Sequence, residues 1–129
     1  MSSTMPQQPL ISLIILNYNQ IKVTCEFIES TKKLTYKNYE IILVDNASKE
    51  DPTALIKSTY PEVKLIVNDT NLGFTGGNNV GIRAAKGDFY FIVNNDTEVT
   101  ENLLEKLLEP FYKDPSIGVV SPKIRYFHN

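Results

Sequence analysis

Asn94-Asn95-Asp96 stands directly after the apolar run Phe89–Val93, so three short oxygen-bearing side chains meet the end of a hydrophobic segment. A carboxylate there can ligate a hard divalent cation that bridges two phosphates, or it can cap the next helix. Three further polar clusters end apolar runs in the same way: Asn17-Tyr18-Asn19, Asp45-Asn46 and Asn68–Asn71. Asp45 could accept hydrogen bonds from a nucleobase N–H or a ribose hydroxyl, or serve as a turn residue. Gly73, Gly76, Gly77 and Gly81 surround Asn78 and Asn79. Each glycine costs a helix about 1 kcal/mol against alanine, so the cluster needs a reason. Close packing on a sheet is one, and close approach to a ligand is the other.

Several other chemistries are absent. The first apolar run is not followed by Gly-x-Gly-x-x-Gly. Gly76 and Gly81 have P-loop spacing, but Ile82 stands where lysine belongs. His128 is the only histidine and Cys25 the only cysteine, which leaves no Ser-His-Asp or Cys-His set, no zinc set and no intrachain disulfide. Cys25 reads as a small hydrophobe on a helix.

The elements that position the clusters follow from apolar patterning. Ile11–Leu16, Glu40–Val44, Val63–Val67 and Phe89–Val93 read as buried strands, with Ile117–Val120 as a fifth. Helices are expected over Gln20–Leu34, Lys49–Tyr60 and Thr75–Ala85, the last closed by Gly87, with a final one opening near Thr100. In the first helix Val23, Phe27, Ser30 and Leu34 form the expected inner stripe. Alternating strands and crossover helices predict a three-layer α/β fold, with a mainly parallel sheet and helices on both faces. Ligands of such sheets bind beyond the carboxyl ends of the strands, where the polar clusters fall. The reading gathers Tyr18, Asp45 and Asp96 around one shared cleft there.

The chain has 129 residues, 42% hydrophobic and 22% charged, with a formal net charge of −2. This suits one globular domain, with residues 1–9 as a disordered tail and 10–129 as the folded unit. The slight negative charge argues against nucleic acid as a partner. No apolar run approaches the ~20 residues of a membrane span, and no signal peptide is expected.

The segments Ser12–Asn19 (SLIILNYN), Ile41–Ser48 (IILVDNAS), Asn71–Gly81 (NLGFTGGNNVG), Ala85–Asp88 (AKGD) and Phe91–Thr97 (FIVNNDT) resemble family 2 glycosyltransferases of the GT-A fold. The version with NLGFxGGNN and NxD looks most like the bacterial rhamnosyltransferase-like branch. The match covers roughly residues 10–125, and the order and spacing of the segments are highly specific. The resemblance implies that Leu16, Asn17, Tyr18 and Asn19 line the nucleobase side and that Asp45 binds base or ribose. Asn46 is counted beside it among the substrate-binding residues. Asn71, Gly73 and Asn78 would border nucleoside and diphosphate. Asn94 and Asn95 would stand in the Asp-x-Asp-like motif, with Asp96 as the ligand of Mg²⁺ or Mn²⁺. The first acid of that motif is Asn94 here, which removes one negative charge.

The resemblance further implies a dTDP- or UDP-sugar donor and a carbohydrate acceptor in cell-surface polysaccharide synthesis. A cytoplasmic location is expected, at most peripheral to the inner face of the membrane. No catalytic base is found, and one is expected beyond Asn129, so the fragment alone should transfer little. Two rivals are a sugar-phosphate nucleotidylyltransferase and a non-catalytic assembly module. The first wants a glycine-rich, basic loop after the first strand, which Asn17-Tyr18-Asn19 does not offer. The second is compatible with a homodimer through an exposed apolar surface.

Overall fold

The computed structural model describes residues 8–113. The chain runs β1 (Ile11–Asn17), α1 (Ile21–Ser30), a 3₁₀ turn (Thr31–Lys33), β2 (Tyr39–Asp45), α2 (Thr53–Thr59), β3 (Lys64–Val67), α3 (Gly73–Ala84), β4 (Phe89–Val93) and α4 (Leu103–Lys113). The strands form one parallel sheet in the order β3-β2-β1-β4. The chain steps outward from β1 to β3, then returns past β1 to add β4. With crossovers of constant hand, that reversal sends α3 to the opposite face from α1 and α2. The packing agrees. Ile11, Leu13, Ile15, Leu43, Phe91 and Val93 bury one face against Phe27 and Ile28 of α1, Ile56 of α2 and Leu104, Leu108 and Phe111 of α4. Ile14, Ile42 and Val44 bury the other against Val80 and Ala84 of α3. Each fully buried large apolar side chain stabilises the fold by about 1.5–3 kcal/mol.

The expected three-layer α/β architecture is present, and its details differ in instructive ways. The first helix stops at Ser30 rather than Leu34. The Ser30 and Thr31 hydroxyls donate back to the carbonyls of Phe27 and Ile28 at 2.6 and 2.7 Å, which competes with the helical ladder. Its buried face is Thr24, Phe27 and Ile28, so Val23 and Ser30 lie beside the inner stripe and not within it. The second helix begins four residues after Lys49, whose backbone N–H is committed to Asn19 Oδ1 at 2.8 Å. Gly87 does not cap α3, which ends at Ala84 with Ala85 extended. Gly87 instead donates its N–H to Ser12 Oγ at 2.9 Å, and an added Cβ would lie 2.6 Å from that oxygen. Gln8 and Pro9, assigned to the tail by sequence, are both held. Asn38 Nδ2 donates to the Gln8 carbonyl at 2.7 Å, and the Tyr36 hydroxyl donates to that of Pro9. The expected strand Ile117–Val120 lies outside the described residues.

Candidate functional site

The strand order reverses between β1 and β4, whose carboxyl ends lie side by side at one end of the sheet. Open α/β sheets bind ligands at such a switch point. The parallel register sets Asn17 beside Asp45 at the ends of β1 and β2. Both are buried, and they bond directly: Asn17 Nδ2 donates to Asp45 Oδ1 at 2.8 Å.

A continuous polar chain runs through this pair. The Thr24 hydroxyl donates to Asn17 Oδ1 at 2.6 Å and accepts from Asn95 Nδ2 at 3.0 Å. Ser48 donates its hydroxyl to Asp45 Oδ1 at 2.7 Å and its backbone N–H to Asp45 Oδ2 at 2.9 Å. Ser48 Oγ also accepts from the Asn19 N–H at 2.8 Å and from Asn17 Nδ2 at 3.3 Å, which fills its capacity of one donor and two acceptors. The ends of β4, α1, β1 and β2 are thereby tied into one lattice. Asp45 is 0% exposed, and both its carboxyl oxygens accept hydrogen bonds from protein donors. The turn role weighed for it from sequence is therefore realised, and Asn17 and Asn95 likewise spend their amides on the lattice.

Asn46 performs a parallel task for α3. Its Oδ1 accepts from Asn68 Nδ2 at 3.0 Å and from the Leu72 N–H at 3.1 Å, while its Nδ2 donates to the Gly73 carbonyl at 3.0 Å. Asn71 Oδ1 accepts the Gly73 N–H at 2.8 Å, and Gly73 takes φ +76°. The helix start is thus fixed by amides on both sides of the turn, with glycine where the backbone is left-handed. One turn on, a Cβ on Gly77 would lie 2.6 Å from Leu16 Cδ1. Gly77 and Gly81 therefore serve close packing on the strands, against Leu16 and against Ile14 and Val44. Beside Gly77 stands Asn78, only 4% exposed, with neither Oδ1 nor Nδ2 hydrogen-bonded.

Asn78 lines a cleft of about 350 Å³ together with Leu16, Tyr18, Gln20, Phe74, Ile92, Val93, Asn94 and Asn95. Tyr18 and Phe74 are 48% and 62% exposed. Among the described residues no charged side chain lines this cleft. Asp96 lies next door, in a hollow of about 320 Å³ against α1, with Glu26, Lys33, Thr97 and Glu98. The Thr97 hydroxyl there is buried without a partner. Asn19 lines a third hollow, of about 370 Å³, with Asn17, Ser48, Lys49 and Glu50.

The predicted residues therefore share one end of the sheet but not one cavity. Leu16, Tyr18, Asn78, Asn94 and Asn95 meet in the central cleft. Asp45 and Asn46 are buried beneath, Asn71 and Gly73 shape the start of α3, and Asp96 opens to the side. The expectation that Tyr18, Asp45 and Asp96 surround one cleft is corrected accordingly. The parallel pairing that aligns the ends of β1 and β2 buries Asp45 against Asn17. Sequence reasoning missed Thr24, Ser48 and Phe74 as site residues. Ser48, three residues after Asp45, carried a turn signal that was legible. Thr24 carried none, because the Asn95 amide that reaches it comes from the loop after β4, 71 residues away.

Asp96 is exposed, and the described residues hold no group of three or more His, Cys, Asp or Glu side chains arranged for a metal ion. The donor set fits a cation bound through one carboxylate and completed by phosphate and water oxygens, the usual habit of Mg²⁺. It does not fit a preformed cage.

The parallel sheet with helices on both faces is an α/β fold of the GT-A glycosyltransferase type. The chain belongs to glycosyl transferase family 2, whose sequence model matches residues 12–129. It is 34% identical over 120 residues to the glycosyltransferase GlyG of Streptococcus pneumoniae, covering 91% of this chain and 40% of that protein. It is 27% identical over 122 residues to the chondroitin synthase of Escherichia coli, covering 92% and 18%. Its fold matches the mannosyltransferase PcManGT from Pyrobaculum calidifontis, solved in complex with GDP-Man and Mn²⁺. That match has a TM-score of 0.72 at 22% identity and covers 85% of this chain and 34% of that one. The chain thus spans about two fifths or less of the length of each of these proteins.

Proposed function

We propose that this chain is the donor-binding part of a glycosyltransferase that takes a nucleoside-diphosphate sugar, a UDP- or dTDP-sugar, and transfers the sugar to a carbohydrate acceptor in polysaccharide synthesis. One observation carries this reading. The cleft at the carboxyl ends of β1 and β4 is lined by no charged side chain among the described residues, and a hydrogen-bonded polar lattice frames it. Such a lattice holds site groups in place without reorganisation. The chain's relatives support the same reading. GlyG and chondroitin synthase are named for sugar transfer, and PcManGT binds GDP-Man with Mn²⁺.

In this role the lattice residues Asn17, Thr24, Asp45 and Ser48 position the loops. Tyr18, Phe74 and Asn78 meet the donor, and Asp96 holds a divalent cation at the diphosphate. When bound, that cation neutralises charge on the departing diphosphate. Among the described residues no acidic side chain lines the central cleft, and none is assigned as the base that activates the acceptor. The motif version points to the rhamnosyltransferase-like branch. The proposal includes a cytoplasmic location. No helix among the described residues is long and apolar enough to cross a membrane.

Isothermal titration with UDP, dTDP and GDP, with and without Mn²⁺, tests the reading. UDP or dTDP should bind, and more tightly with the metal. Failure of all three nucleotides to bind at millimolar concentration would overturn it.

A further inference from the structure

Thr24 is a polar residue where packing alone asks for an apolar one. It is fully buried, on the same face of α1 as Phe27 and Ile28. Leucine or alanine would suit such a place, with better helix propensity and no hydroxyl to satisfy. The hydroxyl is also used unusually. Ser30 and Thr31, at the end of the same helix, donate back to carbonyls three residues earlier. Thr24 instead reaches out of the helix with both functions. It donates to Asn17 Oδ1 at 2.6 Å and accepts from Asn95 Nδ2 at 3.0 Å.

The second contact falls one residue before Asp96. The other side of Asp96 is held too: Thr97 is buried, and its N–H donates to the Asn94 carbonyl at 3.0 Å. Asp96 is therefore an exposed carboxylate on a stretch pinned at both neighbours. It is also the only charge of the Asn94-Asn95-Asp96 triplet. A single carboxylate holds a cation best when its direction is fixed beforehand, because ordering it on binding costs affinity.

Taking the nucleotide-sugar reading, with its cation at Asp96, as the premise, we propose that Thr24 is a positioning residue for that cation. By holding the Asn95 amide against α1, it sets the direction of the neighbouring carboxylate. Thr24 lines neither the central cleft nor the hollow beside Asp96, so it acts through Asn95 and not by contact with donor or metal. Asn95 is accordingly a tether, with Gln20 Oε1 at 3.3 Å as its weaker second anchor.

The test titrates the tighter of UDP and dTDP in Mn²⁺ and in EDTA, and reads the ratio of the two affinities. Thr24→Val keeps the shape and removes the hydroxyl. Its ratio should fall about tenfold below wild type, the scale on which groups behind a metal ligand act, with the affinity in EDTA unchanged. Thr24→Ser should restore the ratio. Asn95→Ala, at a half-buried position, carries the test should the valine variant fail to fold. It should lower the ratio about as much, and the double variant no further, since both changes remove one contact. Tyr60→Phe, which removes the hydrogen bond to Glu29 on the far side of the domain, should keep the wild-type ratio. A wild-type ratio in Thr24→Val or Asn95→Ala, a loss not restored by serine, or an equal loss in Tyr60→Phe overturns the positioning role while the nucleotide-sugar reading stands. Equal affinity of wild type in Mn²⁺ and EDTA removes the cation and this role together and leaves nucleotide binding intact. If neither nucleotide binds wild type, the nucleotide-sugar reading falls as well.

Discussion

The Thr24 hydroxyl lies 2.6 Å from Asn17 Oδ1, and through this one contact the first turn of α1 is tied to the last residue of β1. Thr24 also accepts from Asn95 Nδ2, so the same oxygen links β1 to the loop after β4. Its absence would leave the buried Asn17 Oδ1 unpaired and Asn95 Nδ2 with Gln20 Oε1, at 3.3 Å, as its remaining partner. Thr24→Val, which keeps the shape and removes the hydroxyl, should therefore cost about 1–3 kcal/mol of stability. Thr24→Ser should recover most of it. Urea denaturation of the three proteins measures this, and a valine variant as stable as wild type would show that the lattice does not hold the strand ends together.

Gly81 faces the sheet where α3 crosses it. A Cβ there would stand 2.5 Å from Ile14 Cγ2 and 3.2 Å from Val44 Cγ2, both fully buried. Alanine would gain about 1 kcal/mol of helix propensity. Overpacking costs about 1–3 kcal/mol, so Gly81→Ala should be destabilised on balance. A melting temperature above wild type would mean that α3 can lift from β1 at little cost.

Asp96 is exposed, and among the described residues no hydrogen bond or ion pair involves its side chain. Asp96→Ala should leave the unfolding midpoint within about 0.5 kcal/mol of wild type. It should nevertheless abolish the part of UDP affinity that depends on Mn²⁺. Titrations with metal and with EDTA separate the two contributions. Unchanged metal dependence in the variant would remove Asp96 from its proposed role.

Tyr60 is buried on the far side of the domain, where its hydroxyl donates to Glu29 Oε1 at 2.9 Å. Burial first, and then the Glu29 carboxylate, push its ionisation up from 10.0 to about 12. The folded state therefore retains a proton that the unfolded state releases earlier. The stabilising effect is complete below pH 10, declines as pH rises through the interval, and is lost above about 12. Melting curves from pH 9 to 12 should fall more steeply for wild type than for Tyr60→Phe. Parallel curves would rule out this linkage.

Much of the fold was legible because its signals are local. The isoleucine-rich run of β1 and the aromatic run of β4 read as strands without knowledge of any partner. The polar residues at their ends marked the binding edge, because a parallel sheet leaves its loops there. Helix limits were less legible. Ser30 and Thr31 end α1 through hydroxyl bonds to their own helix, whereas apolar spacing alone carried the expected helix on to Leu34. Gly87 looked like a helix cap because glycine often is one, but its place is set by Ser12, far away in sequence.

The sequence by itself determined the alternation of strands and helices, the end of the sheet that bears the polar residues, and the family. These depend on the order and spacing of residue types along the chain. Only the tertiary structure decided what each polar side chain does. Asp45 and Asn78 are both short, polar and buried, yet one is saturated by Asn17 and Ser48 and the other has no partner. The physical reason is that a hydrogen bond is satisfied by neighbours in space. At the strand ends those neighbours are brought from different strands and helices by the register of the sheet and the close seat of α3.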